Sequence, residues 1–210
     1  MRVGVDIDGT VARAYPLILR ALGPGRAGEF RASGSYDLSV VGVEEDSFFR
    51  AHPWILRLAE PEPGAAEVLG HLAARGVEVF YVTSRPPWAE GMTGEWLARR
   101  GFPPGPVVEV RDKARAAVRL GLDVFVEDAP CHLGALSGVV PLVLRREQVY
   151  NVGLPGRSFC SWLAVPGLLG LDGVWLGRCG GNGGVLFQQP GGFAVPATVP
   201  LQVVRAVGIN

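Results

Sequence analysis

The chain begins with Val3-Gly4-Val5-Asp6-Ile7-Asp8-Gly9-Thr10, an apolar run that leads straight into two carboxylates one residue apart. Side chains alternate along a β-strand, so Asp6 and Asp8 leave on one side and Ile7 on the other. In a parallel α/β sheet the carboxyl end of such a buried strand opens onto the crevice where these folds bind ligands. Two like charges placed there repel, and a cation or a shared proton is needed to hold them together. The pattern suits a metal-assisted nucleophile paired with a proton donor.

The rest of the chain supports that sheet. Thr10 is placed to cap a helix over about 11–22, which Gly23-Pro24-Gly25 breaks, and a further helix is expected from about Glu44 to Leu58. Pro61-Glu62-Pro63-Gly64 starts a helix with Ala65, Val68, Leu69 and Leu72 at helical spacing. Apolar strands then alternate with helices: strands at Val77–Thr83, Val107–Val110, Val124–Glu127 and about 139–144, helices near 90–100, 112–120 and 131–137. Continuous apolar strands between helices predict a parallel sheet covered on both faces. From about residue 156 the alternation stops: 156–210 hold four charged side chains, Arg157, Asp172, Arg178 and Arg205, and 176–193 are dense in glycine.

Composition excludes several classes of function. With 210 residues, 19% charged and a net charge of zero, the chain offers no electrostatic footprint for a nucleic-acid polymer or an anionic membrane. Asp6 and Asp8 interrupt any amino-terminal signal pattern, and no breaker-free run of membrane-spanning length occurs. Cys131, Cys160 and Cys179 are odd in number and lack metal-ligand spacing, which favours a reducing cytoplasm. Lys113 is the single lysine against 19 arginines, a compact point charge where the chain otherwise uses a planar fork.

Four positions at or just after strand ends would converge if those strands are neighbours: Asp6 with Asp8, Thr83 with Ser84, Lys113, and Glu127 with Asp128. They supply carboxylates, hydroxyls and one ammonium. Phosphoryl transfer needs a nucleophile, a cation to neutralise oxygens and fixed donors around them. Carboxylates from two strands suit the oxygen shell of Mg²⁺, and a donor set without His or Cys argues against zinc. Each site also has a plainer reading taken singly. Asp-Ile-Asp could be a capped turn, Thr83-Ser84 before Arg85-Pro86-Pro87 a helix start, and Glu127-Asp128 a helix cap.

Together these motifs resemble the four motifs of the haloacid-dehalogenase-like (HAD) phosphatases. Thr83-Ser84, Arg111-Asp112-Lys113, Tyr36-Asp37-Leu38 and Tyr150-Asn151 are most similar to the 5′(3′)-deoxyribonucleotidases and their bacterial nucleotidase relatives. The resemblance covers about 1–169 and leaves 170–210 unmatched. It implies a three-layer Rossmann-like fold with a parallel central sheet and a small helical cap inserted after the first strand. The core would be 1–22 and 61–155, the cap 23–60, and 156–210 a C-terminal extension.

The resemblance also implies roles. Asp6 would be the nucleophile that forms an aspartyl-phosphate, and Asp8 the acid and then the base. Thr83 and Lys113 would hold the phosphoryl group, and Asp6, Asp8 (through its backbone carbonyl) and Asp128 would hold Mg²⁺. Glu127 would stand in a supporting shell, where the family often has a second Asp. Gly9, Thr10, Ser84 and Arg85 are candidates to touch the substrate, with Phe49 and Trp54 as an aromatic lining able to stack on a base. Phe48, Phe49 and Trp54 also fit a simple cap core. His52, His71 and His132 read as structural or exposed.

The implied activity is a cytoplasmic Mg²⁺-dependent phosphomonoesterase for (deoxy)nucleoside monophosphates. The substrate would be a small phosphomonoester, with no nucleic-acid polymer or membrane as partner and a homodimer left open. The alternatives are a phosphatase or phosphomutase for another small ester such as a sugar phosphate, a receiver-like signalling domain, and a catalytically silent HAD-like binding module. Truncation after about Gly170 is expected to leave a folded, active enzyme.

Overall fold

The computed structural model describes residues 1–89 and 91–171. The expectations for 172–210, including the glycine-dense stretch and Cys179, lie outside the described residues. In chain order the elements are β1 (Arg2–Val5), β2 (Ala12–Arg13), α1 (Tyr15–Ser33), α2 (Glu45–Ala51), α3 (Trp54–Leu58), β3 (Glu60–Pro61), α4 (Ala65–Ala74), β4 (Glu78–Thr83), α5 (Met92–Arg99), β5 (Val107–Glu109), α6 (Lys113–Leu120), β6 (Val124–Glu127), α7 (Pro130–Ser137), β7 (Leu142–Arg146), β8 (Arg157–Phe159) and α8 (Val165–Leu168). Six strands form one sheet in the order β5-β4-β1-β6-β7-β8, every neighbouring pair parallel.

Alternation along the strands sorts the core into two layers. Val3, Val5, Val79, Tyr81, Val124 and Val126 point to one face and pack against Val68, Leu69 and Leu72 of α4, Trp96 and Leu97 of α5, and Trp162. Val82, Val108, Phe125 and Val143 point to the other, against Ala116 and Ala117 of α6 and Leu133 and Leu136 of α7. Gly4 lies on this second face, where an added Cβ would run into Leu122 and Phe125. The three-layer α/β fold is therefore as the spacing predicts.

A two-residue antiparallel pairing of β2 with β3 marks where the cap leaves and rejoins the core. The cap has its own apolar cluster, with Leu19, Ala27 and Phe30 of α1, Leu38, Phe48 and Ile55 buried.

Three expectations shift. The first cap helix does not start at Thr10: α1 begins at Tyr15 with Pro16 in its first turn, and Thr10 is committed elsewhere. Its helical backbone breaks at Gly23, as expected, and then resumes to Ser33, so the helix crosses the expected core–cap boundary. The helix expected from Glu44 to Leu58 is split into α2 and α3 by Pro53, whose ring cannot continue the hydrogen-bond ladder. The third concerns the expected C-terminal extension. Its first part belongs to the core: β8 pairs with β7, and Trp162 is 1% exposed. Among the described residues no helix is long and apolar enough to cross a membrane.

Candidate active site

β1 lies between β4 and β6, so their carboxyl ends deliver Asp6, Thr83 and Glu127-Asp128 to one place, and α6 contributes Lys113 from beyond β5. The Asp6 amide still donates to the Val126 carbonyl at 3.0 Å, which fixes the nucleophile candidate against β6. Beyond it the chain turns tightly, with the amides of Thr10, Val11 and Ala12 all donating to the Ile7 carbonyl. Gly9 sits in that turn at φ +90°, and a Cβ there would overlap the Asp128 carboxylate. Only glycine permits both the backbone angle and the approach.

Lys113 Nζ bridges two acids, 2.5 Å from Asp6 Oδ1 and 2.8 Å from Glu127 Oε2, with all three side chains buried. The other Glu127 oxygen accepts the backbone amides of Asp128 and Ala129, each at 3.0 Å. Both oxygens of Glu127 are thus engaged, one on Lys113 and the other at the start of α7. Asp128 accepts from the Thr10 hydroxyl at 2.6 Å on one oxygen and from the Tyr150 hydroxyl at 2.5 Å on the other. Its backbone carbonyl accepts from Asn151 Nδ2 at 2.7 Å.

Electrostatics follow from this crowding. Burial, with Glu127 next in weight, pushes Asp6 up to about 6 against the pull of Lys113. Burial and the charges of Asp6 and Glu127 raise Asp128 well above the usual carboxylate range. Burial disfavours the Lys113 ammonium, but Asp6 and Glu127 outweigh it and hold its pKa above that of an ordinary lysine. Asp6, Glu127 and Asp128 can each offer one oxygen within 4.8 Å of the others. Three ionised carboxylates and one ammonium leave two negative charges in a buried space, which a hard divalent cation such as Mg²⁺ neutralises with the oxygen donors it prefers. The residues present therefore fit the group.

Asp8 is engaged differently. Arg85 grips both its oxygens, Nε to Oδ2 at 2.6 Å and a terminal nitrogen to Oδ1 at 2.7 Å, while a further Arg85 nitrogen reaches Thr93 Oγ1 at 3.2 Å. The carboxylate of Asp8 is thereby outside the Asp6–Glu127–Asp128 cluster. Thr83 Oγ1 accepts the Arg85 amide at 3.2 Å and keeps its own proton for donation. Ser84 bonds the Val110 carbonyl at 3.2 Å and meets His132 Nε2 at 3.3 Å.

Several expected substrate contacts are thus spoken for. Thr10 is fully buried and serves Asp128, because the turn after Gly9 aims its hydroxyl at that carboxylate. Arg85 is 6% exposed and serves Asp8, because the fork of a buried guanidinium needs an ionised partner. Phe49 meets Phe48 edge-on, Trp54 meets His52 edge-on and lies under Arg20, and both pack on the cap cluster. The cap-core reading of those two rings is the one the contacts favour. Sequence reasoning did not find the grip of Arg85 on Asp8, the Tyr150 hydroxyl on Asp128, or the bond from Gln148 Nε2 to the Gly9 carbonyl at 2.8 Å. For Tyr150 the sequence signal is the Tyr150-Asn151 pair after the last expected strand, which resembles the nucleotidase pattern but gives the hydroxyl no partner.

The fold with its inserted cap is that of the haloacid-dehalogenase-like hydrolases. A hydrolase of that family from Streptococcus pneumoniae superposes with a TM-score of 0.56 at 15% identity, covering 80% of this chain and 97% of that one. The Rhodobacter sphaeroides protein CbbY, in complex with xylulose-1,5-bisphosphate, gives 0.56 at 18% identity over 81% and 98% of the two chains. By sequence, a Bacillus cereus protein named "Putative nucleotidase" is 32% identical over 110 residues, which is 49% of this chain and 57% of that protein. The chain thus matches little more than half the length of that relative. The family profile of the PITM 1-3 LNS2 domain matches residues 43–120, a span that includes Thr83 and Lys113 and leaves out Asp6, Asp8 and Asp128.

Proposed function

We propose that the protein is a Mg²⁺-dependent phosphomonoesterase working through an aspartyl-phosphate on Asp6, with (deoxy)nucleoside monophosphates as its substrates. The observation that carries this reading is the Lys113 ammonium seated on Asp6 within a buried cluster of three carboxylates. A buried lysine held this way is a fixed positive charge for phosphoryl oxygens, placed beside the oxygen that attacks. The similarity to a relative whose name is "Putative nucleotidase" supports the substrate class.

In this mechanism Asp6 and Asp128, with the Asp8 backbone carbonyl, would hold the cation, which supplies positive charge against the phosphate oxygens when bound. Asp6 attacks phosphorus and the ester oxygen leaves, taking a proton from Asp8 in its acid form. Asp8, then a carboxylate, takes a proton from the water that attacks the aspartyl-phosphate and releases phosphate. The form of Asp8 that Arg85 grips through both oxygens is the carboxylate, the form required for this second step. Thr83 donates to the phosphoryl group and Lys113 neutralises it throughout.

The test is phosphate release from a panel of nucleoside 5′- and 3′-monophosphates and sugar phosphates, with Mg²⁺ and with EDTA. Metal-dependent turnover highest on nucleotides supports the reading. Preference for a sugar phosphate would keep the chemistry and overturn the substrate class. Turnover unaffected by EDTA would overturn the mechanism.

A further inference from the structure

Asp128 is held by two hydroxyls, that of Thr10 in the turn after Gly9 and that of Tyr150, whose ring also touches the cap. The Tyr150 hydroxyl donates to Asp128 Oδ2, while its ring packs on two cap tyrosines, with centroids 6.4 Å from Tyr15 and 5.8 Å from Tyr36. Tyr15 opens α1 and lies 5.7 Å from Phe30 in the cap cluster. Tyr36 follows the end of α1 and is 38% exposed. A continuous series of ring contacts therefore runs from the cap cluster to a carboxylate of the candidate metal site. The loop that carries Tyr150 is itself anchored to the core: Gln148 reaches the Gly9 carbonyl, and Asn151 reaches the carbonyls of Asp128 and Arg146.

We infer that Tyr150 is a positioning residue that couples the cap to the metal site. Its hydroxyl sets the orientation of Asp128 for the cation, and the cap rings of Tyr15 and Tyr36 set the orientation of Tyr150. Thr10 fixes one oxygen and Tyr150 the other, so the plane of the group is determined, and each oxygen keeps a lone pair for a cation. Thr10 belongs to the rigid turn after Gly9. Of these two donors, Tyr150 is the one whose ring packs against residues of the cap. Hydrogen-bond partners of metal-binding carboxylates commonly change metal affinity ten- to a hundredfold when removed. The inference rests on the metal-dependent reading proposed above and adds to it the residue through which cap position reaches the cation.

The experiment is calorimetric titration of Mg²⁺ into the full chain in the absence of substrate, for the wild type, Tyr150→Phe and Tyr36→Ala, alongside the Mg²⁺ concentration giving half-maximal turnover. Tyr150→Phe keeps the ring and removes only the hydroxyl, and is expected to weaken Mg²⁺ binding by about tenfold or more. Tyr36→Ala leaves every hydrogen bond of Asp128 in place and is expected to weaken it severalfold in the same direction. In both, the half-activating Mg²⁺ concentration rises while KM for substrate at saturating Mg²⁺ stays near that of the wild type. Wild-type affinity in a folded Tyr150→Phe protein overturns the positioning role. Wild-type affinity in Tyr36→Ala overturns the coupling to the cap, and decides it even if Tyr150→Phe does not fold. A wild type that turns over without binding Mg²⁺ overturns the proposed function itself, and is read before any variant.

Discussion

Arg85 holds both carboxylate oxygens of Asp8, at 2.6 and 2.7 Å, across 77 positions of sequence, and the arginine side chain is only 2% exposed while that of Asp8 is 29% exposed. A planar fork matched to a planar carboxylate fixes the direction in which Asp8 faces, as an ammonium cannot. Arg85→Gln should therefore lower kcat by roughly 10², the lower end of what a positioned acid–base group contributes. Arg85→Lys should recover little of it. Steady-state kinetics on both variants, with melting temperatures to verify folding, measure this. An unchanged kcat in folded Arg85→Gln would remove Arg85 from the account.

The buried cluster makes activity and stability oppose each other. Asp6, Glu127 and Asp128 crowd three carboxyl groups around one ammonium, so the metal-free site carries electrostatic repulsion. Asp6→Asn should raise the melting temperature in EDTA while abolishing turnover. Lys113→Met should do the reverse to stability, costing roughly 3 to 5 kcal/mol, because it leaves buried carboxylates without their cation. Thermal denaturation of the three proteins in EDTA gives the order, and a Lys113→Met protein as stable as the wild type would contradict it.

Mg²⁺ should stabilise the wild type by mass action, about 2.7 kcal/mol when its concentration is a hundred times its dissociation constant. Asp128→Asn should be more stable than the wild type in EDTA and gain much less from Mg²⁺. A shift of equal size in both proteins would place the cation elsewhere.

Two groups give pH dependences of opposite sign. Asp6 is raised to about 6, chiefly by burial, and must be ionised to attack. The acid limb of kcat/KM should lie near that value at low Mg²⁺ and move to lower pH as Mg²⁺ is raised, since a cation favours the carboxylate. A raised acid holds its proton longer in the folded state, so its stabilising contribution is present below about 3.8 and lost as pH rises to about 6. His132 runs the other way. Burial first, and Lys113 second, push it down to about 4 from an ordinary 6.5. Between those values the unfolded chain binds the proton and the folded chain does not, so stability from this group is lost as pH falls from 6.5 towards 4. His132→Gln should flatten that part of the denaturation profile, and an identical profile would contradict the assignment.

What could be read in advance was what depends on strand period. The alternation predicts that Val5 and Ile7 share a face, and both lie in one core layer, while Asp6 meets Lys113. A lone lysine among arginines also announced itself. Partners chosen by three-dimensional geometry did not. Thr10 looked like a helix cap because a hydroxyl before an apolar run usually is one, yet the positive φ of Gly9 turns the chain and the hydroxyl meets Asp128. Arg85 reads from the sequence as a substrate contact, and only the packing of Thr93 and Asp8 around it gives it another partner. β8 is three residues long, with two of its three side chains exposed, and carries none of the alternation that announces a strand.

The most direct test of the account is to trap the enzyme during turnover of a nucleoside monophosphate by acid quench, reduce any acyl phosphate with borohydride, and map the modified peptide by mass. The account predicts reduction at Asp6 in the wild type, dependent on Mg²⁺, and neither reduction nor turnover in Asp6→Asn. Reduction at another residue, or turnover by Asp6→Asn equal to that of the wild type, would contradict it.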